Sequence, residues 1–141
     1  MLDVGKSQYN LNDGAYLAAS ERVQLTARMQ SLGTALFAGT GGFFIGQTSG
    51  EGQIVINGFG SLFTLEVTPQ SPVIIDNGHV VAWDSRLHYE LSVTTGASRG
   101  MLGNLVNSVT SGEAVVLKFS GSGKVILCSR NANSFRSWAK Q

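Results

Sequence analysis

The side chains equipped for chemistry fall in two short stretches. Gly78 to His88, GHVVAWDSRLH, holds both histidines of the chain together with a carboxylate, a hydroxyl and a guanidinium. Cys128-Ser129-Arg130-Asn131 holds the single cysteine. A metal centre built on β-strands needs two or three neutral imidazoles and a carboxylate converging from adjacent strands. His79 leaves a turn, and His88 lies on the polar face of the strand carrying Leu87 and Tyr89. The alternation points them apart, and both read as structural. Ser85, His88 and Asp84 include the residue types of a nucleophilic triad. Closeness in sequence does not supply the geometry, in which an imidazole reaches a serine from across the fold. No catalytic or metal residue is assigned, and no cofactor is expected.

Asp84 and Arg86, beside Trp83, read as a strand-end ion pair over an aromatic face, or else as an anion or partner site. Arg130 and Asn131 read as a helix cap or a carboxylate-binding pair. His79, Trp83, Asp84, Arg86, Arg130 and Asn131 are therefore the candidate interaction or structural residues. Cys128 follows Val125-Ile126-Leu127 and reads as a buried strand thiol, with no second cysteine for an internal disulfide. Gly50-Glu51-Gly52 and Gly121-Ser122-Gly123 resemble phosphate cradles, but such cradles open into a helix and these lead into strands.

The elements that must position these residues come in two copies. Ala114 to Phe119 and Lys124 to Cys128 flank a Ser-Gly-Ser-Gly turn and read as a β-hairpin. Gly41 to Gly58 repeats the plan around Ser49-Gly50-Glu51-Gly52, 71 residues earlier (121 − 50). A second echo sets Asn12-Asp13-Gly14 and the strand after it against Asp76-Asn77-Gly78 and its strand, 64 residues apart (78 − 14). Both echoes run in the same order. Val23, Leu25, Ala27 and Met29 alternate with polar residues, as do Leu87, Tyr89, Leu91 and Val93, the period of a half-buried strand. Val73-Ile74-Ile75 reads as a short buried strand and Phe59 to Val67 as another, broken by the prolines of Thr68 to Pro72. Ser31 to Gly42 and Gly100 to Asn107 are ambiguous, with room for one helical turn. Phe135 and Trp138 are spaced for one side of a short C-terminal helix. The reading is an all-β single domain, residues 1–141, made of two tandem β units at approximately 1–67 and 68–141 that pack sheet on sheet as a duplicated β-sandwich.

Composition narrows the function classes. Charged residues are only 13% of the chain, hydrophobic residues 43%, and the formal net charge is +1. So little charge points to apolar surface covered by another subunit, and a homo-oligomer is expected. Nucleic-acid binding needs a basic stripe with stacking aromatics, whereas Arg22, Arg28, Arg86, Arg99, Lys118, Lys124, Arg130, Arg136 and Lys140 are scattered. No apolar run is long enough to span a bilayer, and the first residues lack a secretory signal, so a cytoplasmic location is expected.

Residues 76–84, DNGHVVAWD, and 111–131, SGEAVVLKFSGSGKVILCSRN, resemble the altered inheritance of mitochondria 24 family. The matching motifs are Gly78 through Asp84, Gly112-Glu113, Gly121-Ser122-Gly123 and the closing Ser129-Arg130-Asn131; Asp13 to Ala18 is similar to an earlier family segment. The resemblance implies a double-stranded β-helix fold similar to the subunit of the tryptophan-RNA-binding attenuation protein, with several units per chain and trimer-like packing. It also implies that an amino-terminal β unit usual in the family is missing here, the chain being either a short homologue or a fragment, with an inter-unit surface exposed or filled by another chain. The family has no established enzymatic activity, and the mitochondrial roles of some members are not carried over. The expected function is a non-enzymatic oligomeric β-scaffold or protein-interaction module, with itself and another protein as partners. The alternatives are an oligomer that binds single-stranded RNA and a metal-dependent β-helix enzyme.

Overall fold

A computed structural model describes residues 1–30, 43–93 and 115–140. Its strands fall into two sets. The first is β1 (Leu2–Val4), β2 (Tyr9–Asn12), β3 (Tyr16–Ala19), β4 (Val23–Gln30), β5 (Phe43–Gly50) and β6 (Gly52–Ile56). The second is β7 (Leu62–Val67), β8 (Val73–Asp76), β9 (Val80–Asp84), β10 (His88–Val93), β11 (Val115–Ser120) and β12 (Gly123–Cys128). A 3-10 turn, Asn77–His79, precedes β9, and a helix α1, Ala132–Ala139, follows β12. The two ambiguous segments, Ser31 to Gly42 and Gly100 to Asn107, lie outside the described residues. The fold is all-β with a short C-terminal helix, and no helix among the described residues is long and apolar enough to cross a membrane.

The duplication extends to strand pairing. β1 and β3 flank β6 as β7 and β9 flank β12, and β4 and β2 flank β5 as β10 and β8 flank β11, all antiparallel. Registers correspond as well: Val4 faces Gly52 as Val67 faces Gly123, and Asn10 faces Gln47 as Ile74 faces Lys118. Even the bulges match, since the ladder skips Leu17 in β3 and its counterpart Val81 in β9. The turns before β4 and β10 close alike, with Val23 N donating to Ser20 O at 2.9 Å and Leu87 N to Asp84 O at 3.0 Å.

One reading of the sequence is corrected. The apolar runs on either side of each glycine turn do not pair as hairpins. Both hydrogen-bonding edges of β11 are taken by β10 and β8, and both edges of β12 by β9 and β7. The turn therefore carries the chain from one sheet to another. A strand has only two edges, and here outer strands fill them.

β7 pairs with β12, so the boundary between the repeats falls before Leu62 and not near residue 67. Among the described residues the ladder that joins the two repeats is β2 on β9, which makes a six-stranded sheet of order β4-β5-β2-β9-β12-β7. Two three-stranded sheets, β1-β6-β3 and β10-β11-β8, accompany it. The central strands are covered on both faces. Trp83 and Val125 sit in one apolar cluster with Leu117 and Phe119, while Ala82 and Ile126 sit in the other with Val4 and Ile54. That double burial is why Val80-Val81-Ala82-Trp83 and Val125-Ile126-Leu127-Cys128 are continuously apolar instead of alternating.

Two further readings change. β8, read as a buried strand, is the end strand of its sheet, and Ile74 is 66% exposed. Of the apolar face read along β4, Val23 is buried but Met29 is 66% exposed, because β4 ends the six-stranded sheet. The terminal helix is too short to be stable by itself. It docks through Phe135, whose ring lies 5.2 Å from that of Phe59 and 5.7 Å from that of Trp138.

Candidate functional site

The β2/β9 seam brings several of the candidate residues to its two ends. At one end Tyr9 lies opposite Asp84, the last residue of β9. The strand turns sharply there, so Arg86 folds back on the Asp84 carboxylate. Arg86 N and Nε each donate to Oδ1 at 2.9 Å, and Nη2 donates to Oδ2 at 2.5 Å. The guanidinium is mostly exposed while the carboxylate is buried, with Asp84 only 3% accessible. Hydrogen bonding from Arg86 holds the Asp84 carboxyl below the usual carboxylate range, against the opposing effect of burial. The Tyr9 phenol is raised above its ordinary value, by burial first and by the Asp84 charge second. The expected aromatic neighbour, Trp83, points the other way into the core, so the aromatic group at this ion pair is Tyr9. A cavity of about 390 Å³ opens here, lined by Tyr9, Glu66, Asp84, Arg86 and Lys124 among others.

A group held below its ordinary pKa stabilises the fold fully above that ordinary value, about 3.9 for an aspartate, and loses the contribution as pH falls through the lowered one. Asp84→Asn is therefore expected to lower the thermal midpoint at neutral pH. The gap to wild type should narrow as pH drops below about 4. A gap that stays constant down to pH 2 would show that the charge of Asp84 contributes nothing.

At the other end of the seam, Asn12 terminates β2 and its amide spans to the second repeat. Asn12 Nδ2 donates to Val80 O at 2.9 Å and is shared between Asn77 Oδ1 at 3.0 Å and Asn77 O at 3.1 Å. The 3-10 turn is held by Asp76, whose Oδ1 accepts from Gly78 N at 2.7 Å. A carbonyl only accepts, so His79 donates from Nδ1 to Cys128 O at 2.9 Å, which fixes its tautomer. Asn131, packed against Gly78, caps α1 by accepting from Ser134 N at 3.2 Å. Arg130 lies with its guanidinium carbon 6.0 Å from the Phe59 ring centre. A cavity of about 600 Å³ opens at this end, with Asn12, Asn77, Cys128, Asn131 and Arg136 in its wall.

Asp84 and Arg86 thus come together at one end, and His79, Arg130 and Asn131 gather towards the other. Trp83 belongs to neither and is wholly buried between Tyr89 and Phe119. His88 is exposed beside Glu90. No group of three histidine, cysteine or carboxylate side chains suited to a metal occurs among the described residues. The sequence reading missed Tyr9, Asn12 and Asn77. Their signal was the echo of Asn12-Asp13-Gly14 in Asp76-Asn77-Gly78, legible as two turns but silent on the amide that joins them.

Residues 1–130 match the family model described as mitochondrial biogenesis AIM24. An uncharacterized protein of Streptococcus pyogenes serotype M6 is 36% identical over 140 residues, which cover 99% of this chain and 53% of that protein. A crystal structure of a Streptococcus pyogenes protein, a structural-genomics target, superposes with a TM-score of 0.78 at 33% identity, covering 99% of this chain and 57% of that one. The chain therefore spans a little over half the length of these relatives.

Proposed function

The chain belongs to the mitochondrial biogenesis AIM24 family, and from that premise we propose that it is a non-enzymatic, self-associating β-scaffold whose role is to bind protein surfaces. The observation that supports this most directly is how its polar groups are used. Asp84 is engaged by Arg86, Asn12 by Asn77 and Val80, His79 by Cys128, and Asn131 by the start of α1. The Asn12 bonds cross the seam and the others brace its ends; the Cys128 thiol beside His79 donates to Arg130 O at 3.3 Å, so these groups set no base on a nucleophile. What the surface offers instead is apolar: Leu17, Met29, Ile74 and Trp138 are all more than half exposed. Leu17 and Ile74 stand on the end strands of their sheets among the described residues, where apolar side chains favour pairing with another strand.

Size-exclusion chromatography with light scattering is expected to return a mass above that of the 14.9 kDa chain at micromolar concentration. A single monomer peak would contradict self-association. Elemental analysis finding metal in stoichiometric amount would reopen the enzyme reading.

A further inference from the structure

We infer that β8 and β3 are complementary edges through which copies of this chain add to one another, repeating between molecules the seam that β2 and β9 make within one. The inference rests on the self-association proposed above and names the strands and register that carry it. β8 occupies in the second repeat the place of β2 in the first, because it pairs with β11 as β2 pairs with β5. β3 occupies the place of β9, because it pairs with β6 as β9 pairs with β12, down to the bulge. Within the molecule β2 and β9 have found each other. Their counterparts have not: each ends a three-stranded sheet among the described residues.

Burial follows the same division. In the seam Leu11 is 1% exposed, Val81 3% and Ala82 0%. At the free edges Leu17, the counterpart of Val81, is 58% exposed, and Ile74, the counterpart of the buried Asn10, is 66% exposed. The sequence of β3, Tyr16-Leu17-Ala18-Ala19, is continuously apolar like that of the doubly covered β9. β3 carries no charge or proline, the features that normally keep an open edge from pairing, and β8 carries only Asp76 at its end, whose carboxylate is turned onto Gly78 N.

The occupant is a second copy because one molecule carries both halves of the joint, a strand of the β2 kind and a strand of the β9 kind. Such a contact uses two different surfaces and is head-to-tail, so it propagates until its rotation closes a ring. The internal ladder sets the register. Tyr9 opposite Asp84, Asn10 opposite Trp83 and Leu11 opposite Ala82 translate into Val73 opposite Ser20, Ile74 opposite Ala19 and Ile75 opposite Ala18 of the next copy.

Facing residues of an antiparallel pair lie within disulfide reach. Mixing full-length Ile74→Cys with full-length Ala19→Cys and oxidising mildly is expected to give a covalent dimer on a non-reducing gel. The shifted mixture, Ile74→Cys with Leu17→Cys, should give little. Ile74→Lys, at a side chain exposed in the single molecule, is expected to reduce the mass seen by light scattering at least two-fold while leaving the circular dichroism unchanged. Oligomers that cross-link equally in both mixtures, or that ignore Ile74→Lys, would overturn this register while leaving self-association standing. A wild-type monomer would overturn both.

Discussion

Trp83→Ala is expected to cost about 3–5 kcal/mol, the range for emptying a buried aromatic site, and to lower the thermal midpoint by roughly 10–20 °C. Trp83 has no accessible surface and lies at the centre of the second apolar cluster, with Leu117, Phe119, Val125 and Leu127. Its ring meets Tyr89 and Phe119 edge-on at 5.1 and 5.5 Å, an arrangement worth about 0.5–1.5 kcal/mol beyond the buried area. Trp83 also faces Asn10 across the seam, so its loss loosens the β2/β9 ladder that joins the repeats. Against a total stability of about 5–15 kcal/mol, a loss of this size leaves a marginal fold. Trp83→Phe should cost less, about 1–2 kcal/mol, because the indole N–H has no acceptor among the described residues and deleting it removes an unpaired buried donor. Chemical denaturation measures both. Equal losses for the two variants would show that the indole nitrogen is bonded after all, and no loss for alanine would place Trp83 outside the core.

The second large effect separates two glycines that the sequence presents as equivalents. Gly50 and Gly121 both turn the chain between sheets at positive φ, +89° and +103°. An L side chain in that region costs about 1–2 kcal/mol. At Gly121 a Cβ would meet nothing closer than 3.9 Å, so Gly121→Ala should cost only that amount. At Gly50 a Cβ would stand 2.1 Å from the carbonyl oxygen of Arg22, a backbone atom that no rotamer change can move. Gly50→Ala is therefore expected to lose upwards of about 3 kcal/mol, as the turn itself must shift. Urea midpoints for the two variants test this. Similar losses at both positions would mean that the β4 turn yields easily, and the close approach of Arg22 to Gly50 would carry no weight.

Much of the architecture was legible in the residues. Glycines recurring at fixed offsets, with apolar runs around them, exposed the duplication before any strand was placed. One pair among them tolerates little else: Gly52 packs against Ser20 and Val23, as Gly123 packs against their counterparts Asp84 and Leu87. Alternation found β4 and β10, and the spacing of Phe135 and Trp138 found α1. The Asp84–Arg86 pair was legible because two residues across a tight turn must be close wherever the strand leads. The mistaken hairpins show where local pattern stops. A glycine turn between apolar runs is compatible with a ribbon and equally with a corner between sheets, and only the outer strands decide between them.

The sequence by itself determined what each repeat is, because side-chain volume, glycine and alternation act over a few residues and are written into them. Only the tertiary structure decided which strand lies beside which. Backbone hydrogen bonds are the same for every residue type, so a strand does not name its neighbour. That is why the near-identical plans of the two repeats lead to different fates, β9 sealed against β2 while β3, among the described residues, stands at the end of its sheet.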